Sequence, residues 1–173
     1  MNFKHFITIT RHRHCVIVHG AKCGILWQTL FHDLSKYSLA EFLPGLKYYT
    51  GTKSPNDSER RDKGYSSAWL HHKGRNRHHF EYWTDYNPQT RSVAPIKMPI
   101  KYVKEMFCDR VAATKIYQGD DYNPTEPLKY FQTGQAQYIM HPETAKLLEK
   151  LLTMLATEGE KKTFAYIKTL SDY

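Results

Sequence analysis

The residues with the most chemical potential in this chain are the adjacent pair His32 and Asp33, within FHDLSK (residues 31–36), and the later His71, His72, His78, His79 and Asp109. Imidazole and carboxylate are the side chains that bind divalent first-row metals. A His-Asp pair between Phe31 and Leu34 sets two polar groups among apolar neighbours, where shared ligation or hydrogen bonding must offset their desolvation. The chemistry this points to is metal-assisted hydrolysis.

Asp109 belongs to the series Tyr102, Met106, Asp109, Ala113 and Ile116, whose alternating steps of four and three mark one face of a helix. That face is expected to look into the core, so the carboxylate needs a partner. A salt bridge to Arg110 would serve, but a metal is favoured because other segments supply spare imidazoles. As neighbours on a helix, His32 and Asp33 would diverge by about 100°. They would approach one metal from two directions, or the carboxylate would bridge two.

The segment HHKGRNRHH (residues 71–79) sets four imidazoles beside Lys73, Arg75 and Arg77. The imidazoles suit a second metal position, and the cations suit phosphate oxygens through charge-assisted hydrogen bonds. The first helix offers His5, His12, His14 and His19. His12 shares a stripe with Val16, His19 and Cys23 and is favoured as a ligand, with His14 as the alternate.

Helices must position these groups. Apolar spacing predicts one from Phe6 to Cys23, stopped by Gly24, and a second from Ile25 through Lys36. Ser38 and Glu41 read as a capping box opening the next. Residues 50–57 read as a loop, helical pattern returns through Tyr65, Trp69 and His72, and it resumes from His78 to Trp83. A long loop to Met98 follows. Pro99 is expected as the first residue of a strong helix to about Tyr117, with a short helix after Pro127. An amphipathic helix from His141 closes at Gly159, and a last one carries Phe164, Ile167 and Leu170. No segment alternates like a sheet, so the expected fold is an all-α, single-domain helical bundle over residues 1–173. Its core motifs lie in 1–118, and the helices of 124–173 are packing or oligomer surface.

A length of 173 residues suits one domain with a true core. The formal charge of +8 favours an anionic partner, and because the basic residues are dispersed rather than gathered in a tail, a locally positive cleft is preferred to a nucleic-acid arm. Three cysteines without a Cys-x-x-Cys pair argue against a disulfide scaffold or thiolate zinc ribbon and fit a reducing cytoplasm. The apolar run from Cys15 to Val18 is interrupted by His19 and Lys22, so no membrane span or signal core is expected.

The order His12, His32-Asp33 with Lys36, His72, His79 and Asp109-Arg110 resembles the HD-domain metal-dependent phosphohydrolases. The strings HDLSKYS, SPNDSERRDKGYSSAWLHHKGRNRHHFEYW and EMFCDRVAA are also similar to a family of small bacterial and phage-borne proteins without an assigned activity. The gap between His12 and His32 is shorter than in typical HD hydrolases. The resemblance implies an HD-like fold and two divalent ions, for which Mn, Fe, Mg, Zn and Ni are equal candidates. Asp33 would bridge them, one ion being held also by His12, His32 and Asp109, the other by His72 and either His78 or His79. The ions would acidify a shared water and neutralise phosphoryl oxygens. Lys36 would steady a phosphate or protonate the leaving oxygen, and Lys73, Arg75 and Arg77 would bind the anionic substrate, a nucleotide or other small phosphoester. Trp69 and Trp83 would stack on a base, although core packing is the commoner role. Two other classes compete: a His-rich basic protein that contacts nucleic-acid backbone without metal, and a redox or degenerate metal protein.

Overall fold

The structure is a computed structural model, and it describes residues 3–134 and 139–173. It is mainly α-helical with one two-stranded sheet. No described helix is long and apolar enough to cross a membrane.

Helix α1 spans Phe3–Lys22 and buries His5, Ile9, His12, Val16 and His19 along one face. Its β-branched start does not prevent helix formation, because that face packs on α6 (Ile100–Gln118). Gly20 lets the chain fold back closely: a Cβ there would lie 2.2 Å from Thr29 Oγ1. Helix α2 is only Leu26–Thr29, not the long helix expected through Lys36. After it the chain turns, Asp33 takes a left-handed conformation (φ 55°, ψ 23°), and a 3-10 turn covers Leu34–Tyr37. The turn is held by Arg13 of α1, whose Nε donates to the His32 carbonyl at 3.2 Å and whose Nη2 donates to that of Leu30. These tertiary bonds outweigh the local helical preference.

Helices α3 (Leu39–Tyr48), α4 (Pro55–Lys63) and α5 (Ser67–Lys73) pack together, and Phe42 of α3 meets His5 of α1 with ring centroids 5.5 Å apart. Ser38 precedes α3 but makes no side-chain cap, so the expected capping box is absent and Glu41 is free for another role. The α4–α5 corner is tied by buried Glu59, which accepts from the Ser66 and Ser67 hydroxyls at 2.7 Å each and from Lys63 Nζ at 3.0 Å.

The long loop expected before Met98 contains an antiparallel hairpin, β1 (Thr84–Asn87) with β2 (Ser92–Pro95), in register Asn87 to Ser92. Its turn is organised by Asn87 Oδ1, which accepts from Gln89 N at 2.9 Å. The strands escape a periodicity reading because neither face is buried.

Pro99 caps α6 rather than starting it. On α6, Val103, Phe107 and Val111 are fully buried against α8 (Pro142–Thr169), which contributes Leu148, Leu151, Leu152 and Leu155. The stripe holding Asp109 runs from Tyr102 and Met106, which belong to or pack on the core, to Asp109, Ala113 and Ile116, which line a cleft. Helix α7 (Glu126–Thr133) covers the end of this layer with Phe131. Gly159 (φ 78°, ψ 172°) breaks α8 into two helical segments, at the stop the sequence marks.

Candidate metal centre and cleft

Five elements converge on Asp33. His12 comes from α1, His32 and Asp33 from the turn after α2, His72 from α5, His78 and His79 from the segment after it, and Asp109 from α6. The left-handed backbone of Asp33 turns its carboxylate inward, and such a conformation costs a non-glycine residue about 1–3 kcal/mol, least for Asp and Asn. It also means that His32 and Asp33 converge as residues of a turn, not as helical neighbours.

The geometry divides around the two Asp33 oxygens. Oδ2 lies 3.3 Å from His32 Nε2 and 3.7 Å from His12 Nε2, while His12 Nε2 is 3.0 Å from Asp109 Oδ1. Oδ1 lies 3.2 Å from His72 Nε2 and 3.4 Å from His78 Nε2. Two sets of donor atoms result, His12, His32, Asp33 and Asp109 on one side and Asp33, His72, His78 and His79 on the other, each within 4.8 Å of one another.

These atoms crowd together without bonding well. The Nε2 atoms of His12, His32, His78 and His79 and both Asp33 oxygens are buried without a hydrogen bond of acceptable geometry among the described residues. Buried polar atoms are ordinarily paired, so six orphans in one place call for a shared partner. The outward nitrogens, by contrast, are backed by carboxylates. Glu105 Oε1 lies 2.9 Å from His32 Nδ1 and 3.3 Å from His78 Nδ1, and Glu41 Oε2 lies 2.7 Å from His72 Nδ1. A neutral imidazole donating from Nδ1 presents its Nε2 lone pair to the interior, the usual backing of a metal-bound histidine. The residues present therefore fit divalent metal binding.

The electrostatics agree with that donor set. Burial would raise the Asp33 carboxyl, but His32, Lys36 and His72 hold it well below the usual carboxylate range. Burial likewise opposes the charge of His32, yet Asp33, Asp109 and Glu105 push it well above the ordinary histidine value. Carboxylates that draw a proton onto a buried imidazole would draw a divalent cation more strongly. His79 goes the other way, held well below its ordinary value by burial and by His78 and His72, which leaves it neutral.

The cluster opens on a cleft of about 940 Å³, whose wall includes His12, Lys36, His72, His79, Asp109 and Trp69. Lys36 Nζ stands 2.6 Å from Asp33 Oδ2. Lys73, Arg75 and Arg77 do not line this cleft. Arg75 and Arg77 are exposed, and Arg77 reaches Tyr102 Oη and the face of Tyr82. The cations on the cleft wall are instead Lys36, Lys53, Arg60, Arg110 and Lys129. Trp69 lines it, with its ring centroid 4.6 Å from that of His79, while Trp83 packs on Tyr102 and donates to the Arg77 carbonyl. His14 is exposed on the far side of α1 from His12.

Sequence reasoning missed Glu105 and Glu41. Glu105 stands one helical turn before Asp109, a spacing of four that puts both carboxylates on one face of α6 and was a readable signal. Glu41 carried no such signal, because its position fitted a capping box equally well.

No curated protein and no solved structure matches this chain. A sequence profile covering residues 1–154, from α1 into the first segment of α8, does match. The chain that assembles this His/Asp cluster thus belongs to the group described as a family of unknown function, DUF5662.

Proposed function

We propose that this protein is an HD-like, metal-dependent phosphohydrolase acting on a nucleotide or other small phosphoester. The observation that carries the reading is the pair of four-residue donor sets that share Asp33. His12, His32, Asp33 and Asp109 would hold one cation, and Asp33, His72, His78 and His79 the second. Cations held there would supply a water nucleophile of lowered pKa and neutralise charge developing on phosphoryl oxygens.

The chain's own residues do the rest. Glu105 and Glu41 hold three imidazoles in the tautomer and orientation that ligation requires. Lys36, kept protonated by Asp33 and Asp109 against the opposing effect of burial, offers a positive hydrogen-bond donor to a phosphoryl oxygen or a proton to the leaving oxygen. The cleft beside Trp69 receives the remainder of the ester, and its walls exclude bulk water from one side of the reacting group.

Elemental analysis of untagged protein, combined with turnover of a phosphoester panel before and after chelation, tests the reading. About two equivalents of metal, with phosphate release that stops in chelator and returns on adding metal back, is the expected result. Metal-free protein whose thermal stability ignores both chelator and added divalent ions would sink it. Iron with oxygen-dependent turnover and no phosphate release would move the site to redox chemistry.

A further inference from the structure

The cleft's five wall cations are not equivalent. Lys36 pairs with Asp33 at 2.6 Å, Arg60 with Asp57 at 2.7 Å and Lys129 with Glu126 at 2.7 Å. Lys53 is exposed, so water solvates it. Arg110 is different: among the described residues its guanidinium forms no ion pair, and its Nε is buried without a hydrogen-bond partner. Glu81 lines the same cleft and feels the Arg110 charge without closing an ion pair on it.

Arg110 is also held in place. Its guanidinium carbon lies 5.8 Å from the centroid of Phe131, a ring only 1% exposed that forms a fixed floor beneath it. Asp109 and Arg110 are successive residues of α6, so their side chains diverge by about 100°. Asp109 meets His12 at 3.0 Å while the Arg110 guanidinium lies over Phe131, and both residues line the same cleft. Asp109 and Glu81 favour its charge from a distance, but a buried guanidinium that closes no ion pair among the described residues is costly, and its planar fork matches the two oxygens of a carboxylate or phosphate.

We propose that Arg110 is a second anion-binding pole of the cleft, so that the substrate is a phosphoester carrying another anionic group, carboxylate or phosphate, away from the ester at the His/Asp cluster. This rests on the phosphohydrolase reading and narrows its substrate class. A simple alkyl phosphate would engage the cluster alone and leave the guanidinium unpaired. A doubly anionic ester would span both poles, and the separation of its two anions would be selected by the distance between them.

Non-hydrolysable phosphonates test this on the metal-loaded full-length chain. Three series of increasing chain length are titrated by calorimetry: alkylphosphonates, ω-carboxyalkylphosphonates and alkane bisphosphonates, with metal content measured before and after each. At one chain length a doubly anionic ligand should bind at least about tenfold more tightly than its alkyl counterpart, a charge-assisted pair's worth. The tighter of the two anionic series tells whether a carboxylate or a phosphate is preferred. Arg110→Gln should abolish the preference while retaining metal. Arg110→Lys, which keeps the charge and loses the fork, should keep only part of it, and it carries the test if Arg110→Gln does not fold.

No preference at any chain length in the parent protein, or a preference undiminished in the variants, would overturn the proposal. Protein that holds metal and binds alkylphosphonates but shows no such preference overturns this inference alone. Protein that holds no metal overturns the hydrolase reading beneath it as well.

Discussion

Asp33 and Glu59 are two carboxylates with the same exposure, 1% each, and opposite surroundings. Glu59 accepts from two serine hydroxyls, a lysine and the Ala68 amide, all from the corner it ties together. Asp33 sits among four imidazoles and an ammonium, yet neither of its oxygens has a well-formed hydrogen bond among the described residues. One carboxylate is satisfied by the fold, and the other is held ready for something the fold does not supply. Burial does not distinguish them. What distinguishes these two buried charges is whether the hydrogen-bonding capacity of each is already spent.

The sharpest way to break that contrast is Asp33→Asn, which suits the left-handed backbone and keeps the shape but removes the charge common to both donor sets. Metal content should fall, and phosphoester turnover should drop by about a thousandfold, the several kcal/mol a metal centre contributes. A large loss of stability with metal retained would make Asp33 another Glu59.

Glu105→Gln should weaken metal binding by roughly 10- to 100-fold, as expected when the carboxylate behind a ligating histidine is lost. A competition titration against a fluorescent chelator reads this directly. Affinity equal to that of the parent protein would show that the His32 and His78 orientations do not depend on Glu105.

Glu59→Gln should do the reverse of Asp33→Asn. Losing charge-assisted hydrogen bonds costs about 2 kcal/mol, seen as a lower urea midpoint, with metal stoichiometry unchanged. Acid titration refines the point. Burial opposes the Glu59 charge, but Ser67, Ser66, Lys63 and the Ala68 amide pull its pKa down to about 2 from an ordinary 4.5. A depressed folded-state value means that the contribution is fully present above pH about 4.5 and is lost as pH falls towards about 2. The stability gap between parent and Glu59→Gln should therefore narrow across that window, and a gap that stays constant would contradict the assignment. At the small end, His14→Ala should leave metal content unchanged and stability within about 0.5 kcal/mol, as for an exposed position.

Much of the helical layout was legible from local pattern. The buried stripe of α1 through His12, Val16 and His19, the opening of α6 directly after Pro99, and the interruption at Gly159 all follow from spacing and from the conformational limits of Pro and Gly. The break after Thr29 was not legible, since residues 25–36 carry adequate helical spacing and the turn depends on Arg13, remote in sequence. The hairpin escaped for a different reason, having no buried face to impose an alternating pattern.

By itself the amino-acid sequence determined which donors exist and which of them lie on amphipathic helical faces. Only tertiary structure decided that the two Asp33 oxygens face two sets of donor atoms, that Glu105 and Glu41 stand behind the histidines, and that Arg110 rather than Arg75 or Arg77 faces the cleft. The physical reason is range. Periodicity and capping act over a few residues, whereas the pairing or orphaning of a buried polar atom depends on groups brought to it from distant parts of the chain at a precision of a few tenths of an ångström.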